Sequence, residues 1–534
     1  MSPRRIVPLL LVPILVACSQ VAINPPTAGP ATATPFQAAP PTATPEVVRL
    51  WLSPALPEGL RQAAAGLDGL DGRPVEIVEE ESAADVVLGP NPDTPLTTWI
   101  YALVAPFPTV QDDLTAVALV QAWQGQSAHS LLVANREAEA LQSLLGAGSP
   151  LAYDAAELQA AAWDQSAFAL VPFDELNPRW KVLTVDGADP LLAGFDPNAY
   201  PLAIEFGASG PPDQVAALSA ALPWPVSNRD PQALTVVAVT GVTALTRATA
   251  WAIERESIAW AVSDVAEWLA AADITHVSHE VAFTPECPPV NPSRDVMRFC
   301  GQPYQIEVLE AIGTDVIELT GNHVMDYGAD ALLYTLDQYR ARGWQTYGGG
   351  TNRVAGADPA IFDHHGNRIA FVGCNPAGPG FAWATDLQPG SQPCDYPVLL
   401  DQITRLRADG YLPIVTFQWA ESYRSWPLPD QAEAFRQAAA AGAVIVSGSQ
   451  AHQPMGLEFQ DDSLIHFGLG NLFFDQMWSE PTRQEFLDLH VFYRGQHIST
   501  RLLTAMLEDY ARPRAMTAEE REAFLTTIFG ASGW

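Results

Sequence analysis

Short apolar runs alternate with longer amphipathic stretches from about residue 47 to the end of the chain, and that alternation predicts an α/β fold. Val48-Arg49-Leu50-Trp51-Leu52 is strand-like and Pro57 to Leu67 helix-like. Val75 to Val78, Asp85 to Gly89 and Ile100 to Pro106 read as further short strands, and Ala128 to Leu132 leads into a helical run over Arg136 to Leu145. Pro223, Pro225, Asn228, Asp230 and Pro231 crowd one short stretch, which predicts a boundary. A second series opens with the β-branched run Leu234 to Val239. Its strands are predicted at Ile274 to Ser278, Asp315 to Leu319, Arg368 to Gly373, Pro413 to Trp419, Ala443 to Val446 and Leu464 to Phe467. Its helices are predicted over Ala261 to Ala271, Tyr304 to Ile312, Ala329 to Arg342, 398–408 and 429–441. Glu485 to Met506 reads as a hairpin turning at Arg494-Gly495, and Thr517-Ala518-Glu519-Glu520 has the capping-box spacing that opens a last helix. Alternation of this kind places functional loops at strand ends.

The first 46 residues follow a different pattern. Arg4 and Arg5 precede an apolar run, Ile6 to Val16, that is too short to span a bilayer as a helix. The run ends in Leu15-Val16-Ala17-Cys18, which resembles a bacterial lipobox with Cys18 as the lipidated mature N-terminus; an ordinary cleaved secretory peptide is the plainer alternative. Residues 19–46 are rich in Pro, Ala and Thr without apolar periodicity, as expected of a semi-extended tether. The expected organisation is therefore a signal peptide at 1–18, a linker at 19–46, an α/β lobe at 47–222, a second domain at 234–510 and a C-terminal helix or tail at 511–534. The expected location is extracytoplasmic, held to the bacterial membrane by the lipid.

Composition narrows the function. At 534 residues the chain has room for three or four units of about 150 residues. Asp and Glu number 61 against 27 Lys plus Arg, a formal charge of -34, and Lys181 is the sole lysine. Nucleic acid is not an expected partner of a chain without a basic footprint. Cys287, Cys300, Cys374 and Cys394 show no zinc-like spacing, and an even count outside the cytoplasm reads as disulfides. Of three possible connectivities the local one, Cys287–Cys300 with Cys374–Cys394, is preferred; four free thiols is the alternative.

The polar residues that could carry chemistry cluster where predicted strands end. Asn322 and His323, followed by Asp326, sit just after the strand at 315–319, where Asn and His suit a metal or a phosphoryl oxygen and where a turn capped by Asn322 and Asp326 is the structural alternative. The order of segments over Leu234 to Asp475 resembles the CapA family, whose members are known for poly-γ-glutamate capsule synthesis and whose fold is like that of calcineurin-type metallophosphatases. Asn322-His323-x-x-Asp326-Tyr327-Gly328 matches the family's N-H-x-x-D-Y-G block. Tyr347-Gly348-Gly349-Gly350 with Asn352 matches its G-x-G-x-N turn, Ile369 to Gly373 the following strand, and Gly468 to Asp475 its late S-L-G-N-F-x-F-D block, with a Ser-to-Gly change at Gly468. The resemblance implies a layered α/β/β/α domain. Separately, Trp163 to Leu176 and Trp180 to Val185 give the first lobe a diffuse resemblance to a periplasmic solute-binding protein, from which no ligand residue carries over.

Departures from the family pattern shape the expected chemistry. Its first strand ends in Gly-Asp, and here the pair is Gly241-Val242. Its Asn-x-Glu block falls at His279-Glu280-Val281, its H-W-G block at Gln418-Trp419-Ala420, and its G-x-H-x-H block at Gly448-Ser449-Gln450-Ala451-His452. One carboxylate and two imidazoles are thereby replaced, and affinity for zinc, manganese or iron should fall with them. Expected to remain is a polar pocket of His279, Glu280, Asn322, His323, Asp326, Gln418, Gln450, His452 and Asn471. It would bind at most one divalent metal weakly, through Glu280, Asn322 and His452, or an anionic or hydroxylated ligand by hydrogen bonds. His323 and His452 are the candidates for residual acid–base work, since imidazole titrates near neutrality. His276, His364 and His365 fit no block and read as solvated or supporting, and Trp419, Tyr423 and Trp426 read as core or rim. Three functions follow: a CapA-like lipoprotein with a binding or assembly role in envelope-polymer synthesis, an active metal-dependent phosphoesterase, or an extracytoplasmic solute receptor.

Overall fold

The computed structural model describes residues 47–292 and 297–534. The predicted signal peptide, Cys18 and the linker 19–46 lie outside the described residues. Eleven strands from the first part of the chain form one sheet, centred on Val86–Pro90, Ala203–Ser209, Thr94–Pro106 and Phe168–Pro172. The strand predicted at Ile100 to Pro106 begins earlier than expected, because its first half pairs with Ala203–Ser209 and its second with Phe168–Pro172 and Trp180–Val185.

Beyond residue 233 the chain builds two large sheets that face each other, and a two-stranded one of Gly349–Gly350 and Gly390–Ser391. The nine-stranded one runs through Gln345–Tyr347, Val316–Glu318, Ile274–His279, Leu234–Thr240, Gln484–Tyr493, Gln496–Glu508 and Arg512–Ala515. The six-stranded one contains Asn367–Cys374, Leu412–Gln418, Ile445–Ser449 and Ser463–His466 in parallel. Successive side chains of a strand point to opposite faces, and the strand Leu412–Gln418 shows what that builds. Leu412 and Ile414 enter the seam between the sheets with Ile369, Phe371, Val237 and Ile274. Val415 and Phe417 point the other way, onto Ile403 and Phe435 of the helices Tyr396–Ala408 and Pro429–Ala440. On the other sheet Val277 faces Leu332, Leu336 and Tyr339 of the helix Ala329–Ala341. The result is a layered α/β/β/α domain.

One expectation about the fold needs correction. The helix predicted over Ala261 to Ala271 is broken into Ile258–Ala261 and Ala266–Ala270. Ser263 and Asp264 lie at the break, where Ser263 Oγ donates to Asp264 Oδ1 at 3.1 Å. The helix expected within 511–534 forms, opened by the Thr517–Glu520 capping box. Arg512–Ala515 pairs with Gln496–Glu508, and the capped helix Ala518–Ala531 buries Phe524, Leu525, Ile528 and Phe529 against the seam. The disulfides are Cys287–Cys300 and Cys374–Cys394. Among the described residues no helix is long and apolar enough to cross a membrane.

The nine-stranded sheet also buries a carboxyl on the face it turns away from the seam, where residue 485 shares the parity of Leu487 and Leu489 rather than that of Phe486. Glu485 is fully enclosed, neither carboxylate oxygen has a hydrogen-bond partner, and burial holds its pKa well above 4.5. A carboxyl whose pKa is raised on folding binds more protons in the native state, so stability falls as pH rises above about 4.5 until the native pKa is passed, by about 1.4 kcal/mol per unit. Glu485→Gln should remove this cost: its melting temperature should match wild type near pH 4.5 and exceed it increasingly towards pH 8, as calorimetry across that range would show.

Candidate functional site

Parallel strands of both sheets end on the same side, and the polar residues meet there. Alternation along Ile274–His279 puts Ile274 and His276 in the seam, and the residue that continues that face is Glu280. Gln418 shares the face of Leu412 and Ile414 on the opposite sheet. The loop carrying Asn322 and His323 lies flat on the end of the Glu280 strand, with Val281 and His323 in bridge register. Glycine at 321 permits this approach: a Cβ there would stand 2.5 Å from Glu280 Cα and Cβ.

Side-chain amides tie the cleft together. Gln418 Nε2 donates to Asn322 Oδ1 at 3.3 Å and to Gln450 Oε1, while its own Oε1 accepts from Ser449 Oγ at 2.8 Å. His452 Nδ1 lies 2.8 Å from Asn471 Oδ1, and Asn471 Nδ2 donates to the carbonyl of Thr482 at 3.2 Å. The Asn471 oxygen accepts, so Nδ1 of His452 carries the hydrogen and Nε2 the lone pair. Asn471 is also in register with Val242 at the end of the first strand. Gln450 and His452 both adopt left-handed backbone, at φ 77° and 52°, a conformation that costs non-glycine residues on the order of 1–3 kcal/mol each. Such strain is stored where the surrounding structure dictates the position of the side chain.

The electrostatics are set by burial. Glu280 is fully buried and neither oxygen accepts a hydrogen bond of ordinary geometry; burial raises its pKa to about 7, although nearby His323 and Gln418 act to lower it. His323 Nδ1 lies 2.7 Å from Asp326 Oδ2. Burial opposes its imidazolium, but Asp326 and the field of Glu280 outweigh that and its pKa is raised. Burial takes His452 the other way, to about 4, with His323 and Arg247 adding to the fall. The cleft therefore pairs a cation-favouring imidazole with a neutral one.

His279 does not belong to this set. It points to the opposite face of its strand, where Nδ1 meets Tyr339 Oη at 2.7 Å and the ring stacks on Phe283 at 4.8 Å. The period of two separates it from Glu280. His276 is not solvated: it is buried in the seam, 2.8 Å from Tyr347 Oη. His364 and His365 pack at the far end, against Thr235 and the Leu234 carbonyl. Trp419 is buried, whereas Tyr423 and Trp426 are exposed; Tyr423 lies over His452 at the rim, with Trp478 edge-on to Tyr423. One residue was missed. Arg247 pairs with Asp475 through Nη2 and, at 3.1 Å, Nε; its guanidinium lies 4.5 Å from the Phe299 ring and 5.2 Å from Phe474. Its signal was the Asp475 that closes the late block, a carboxylate in want of a partner.

A pair of catalytic cations about 4 Å apart needs several anionic or imidazole donors. Here the converging donors are one carboxylate, two imidazoles and four amides. Asp326 is taken up by His323 and by the Phe299 amide at 2.7 Å, and the amides of Gln418, Gln450 and Asn322 are taken up by one another. Among the described residues no group of three or more His, Cys, Asp or Glu is placed to hold a metal. These residues do not fit a two-metal centre.

A family model described as "Bacterial capsule synthesis protein PGA_cap" matches residues 236–476. The chain is 28% identical over 197 residues to the capsule biosynthesis protein CapA of Bacillus anthracis, a match covering 36% of this chain and 48% of the relative. It is 26% identical over 192 residues to the PGA biosynthesis protein CapA of Bacillus subtilis, covering 36% and 50%. The match thus spans about half the length of these curated relatives. Among solved structures, a 5'-nucleotidase precursor from Thermus thermophilus aligns with 56% of this chain and 59% of its own at 11% identity and a TM-score of 0.33. An ABC-type phosphate transport receptor from Vibrio cholerae aligns with 30% of this chain and 85% of its own at 12% identity and a TM-score of 0.25. Those structural likenesses are too loose to carry an inference.

The close approach at residue 321 is testable. Gly321→Ala should force the Asn322–His323 loop off the Glu280 strand and cost about 1–3 kcal/mol, the usual range for overpacking. Gly59→Ala, in a helix with open space around the new Cβ, should leave the melting temperature unchanged or slightly raised. Equal effects of the two substitutions in calorimetry would refute the constraint.

Proposed function

Since residues 236–476 place the chain in the family of bacterial capsule synthesis proteins, we propose that it serves outside the cytoplasm in making a capsule polymer, poly-γ-glutamate or a related envelope polymer. In this role the cleft binds or guides the polymer, through hydrogen bonds and without a metal pair. The supporting observation is the amide lattice: Gln418 joined to Asn322 and Gln450, and Asn471 to His452, at the strand ends where both sheets open. Side-chain amides both donate and accept, which suits a polymer whose backbone repeats an amide and whose side groups are carboxylates or hydroxyls. His323, with its raised pKa, and Arg247 supply positive charge to an otherwise acidic chain. Cys18 carries lipid and 19–46 forms the tether that keeps the folded part near the membrane surface. More than one acyl chain on that cysteine suffices for stable anchoring.

Melting with γ-linked glutamate oligomers tests the cleft. A ligand selective for the native state raises stability by about 2.7 kcal/mol at a hundred times its dissociation constant, so the melting temperature should rise, and His323→Ala should abolish the rise. Purified protein should hold less than one equivalent of manganese, zinc or iron, and should not turn over bis(p-nitrophenyl) phosphate with added manganese. Two equivalents of metal, with turnover lost in His452→Ala, would establish the hydrolase instead. For the anchor, Cys18→Ala should move the protein from the membrane to the soluble fraction; persistence in the membrane would rule out lipidation at this cysteine.

A further inference from the structure

A cavity of about 290 Å³ lies where the first lobe meets the second domain. Phe107 and Val182 line it from one side, Trp268 and Leu525 from the other, and most of its wall is apolar. The charged side chains lining it are Lys181, Arg501 and Arg521 against Asp112 alone. That is a concentration of cations in a chain of formal charge -34. Lys181 Nζ lies 2.7 Å from Asp112 Oδ1 and donates to the Thr109 carbonyl at 2.6 Å. Arg521 grips the same carboxylate twice, Nε to Oδ2 and Nη2 to Oδ1, each at 2.9 Å. Arg501 is held by Asp189. Two carboxylates thus face three cations, leaving one positive charge unmatched in an apolar enclosure. Lys181 registers the shortfall: its side chain is only 14% exposed, and burial lowers its pKa to about 8 despite Asp112. The carboxylate of Asp112 is the exposed member, at 53%, so it sits as a tethered stand-in at the mouth of the cationic end.

From this geometry we infer that the inter-lobe cavity is a binding site for a small amphipathic anion, a carboxylate or phosphate monoester with a compact apolar tail. The head joins Lys181, Arg501 and Arg521, where charge-assisted bonds in a low-dielectric site are strongest. The tail fills the space between Phe107, Trp268 and Leu525. Pockets of this kind, apolar with a few convergent polar groups, occur preferentially between domains. The site is remote in sequence and chemistry from the amide cleft and does not depend on the role proposed for it.

The sole lysine makes the test direct. The full chain is treated with an amine acetylating reagent at neutral pH, and acetylation of Lys181 is followed by peptide mass spectrometry, which separates it from the terminal amine. Octanoate and octyl phosphate are the probes, one for each head group; acetate and octanol are the controls. Saturating octanoate, octyl phosphate or both should slow acetylation of Lys181 at least about fivefold and raise the melting temperature, as occupancy of a native site requires. Acetate and octanol should do neither. Arg521→Gln should raise the probe concentration needed for protection by about tenfold or more, as loss of a charged hydrogen-bond donor does. Should that variant not fold, Arg501→Gln takes its place, and Leu525→Trp, which fills the apolar end, should abolish protection. No protection by either amphipathic anion, protection equally strong with acetate or octanol, or a fall in melting temperature would overturn the inference.

Discussion

Two sheets face to face impose one constraint on everything else: each strand must send every second side chain into a seam that water does not enter. Where those side chains are apolar, as Val237, Ile274, Phe371 and Ile414 are, the seam is an ordinary core. Where they are polar, they must find partners inside it. His276 meets Tyr347, and Tyr347 meets Thr416 at 2.9 Å; His466 meets Asp488 at 2.6 Å; His490 and His497 share Thr500. Burial keeps His490 and His497 neutral by lowering their pKa values. The same alternation that fills the core thus carries a polar row along it, and that row emerges as Glu280 and Gln418 where the strands end. The cleft is the open end of the seam.

This origin explains how much could be read in advance. Strand and helix order from Leu234 onwards follows directly from apolar spacing, and the disulfide pairing from proximity in sequence. The polar set at the strand ends was legible as a list of residues, because loops after parallel strands collect function. Its membership was less so. His279 and Glu280 are neighbours in sequence, and only the parity of their strand, anchored by Ile274 in the seam, tells which one faces the cleft. Arg247 was invisible because nothing local marks it. Its partner Asp475 is 228 residues away, and pairing over that distance is a product of topology. The break at Ser263-Asp264 was hidden by the apolar residues on either side, which keep helical spacing across it.

Amide donors, unlike charged ones, can satisfy one another in a buried cleft. Several carboxylates without cations would repel one another and unfold their loops or take up protons. Amides remove that dependence, since Gln418, Gln450 and Asn322 satisfy each other in the free protein. What is left is Glu280, alone and with its pKa near neutrality, balanced by His323. A cleft built this way does not depend on cations to satisfy its side chains and presents a surface of exchangeable hydrogen bonds.

The first lobe is bound to this arrangement more firmly than a receptor module would be. Arg179 reaches the Asp461 carbonyl at 3.2 Å and lies over Trp163 and Phe459; Phe107 packs edge-on against Phe459; the Asp230 amide donates to Tyr493 Oη at 3.0 Å. Together with Lys181, Arg501 and Arg521, several of the chain's few cations stand at this junction. Solute receptors work by closing two lobes around a ligand on a hinge, and a lobe fixed through ion pairs, stacked rings and a shared core has little freedom to close. Its contacts hold one wall in place. That wall also encloses the cationic cavity, a space neither lobe could form alone.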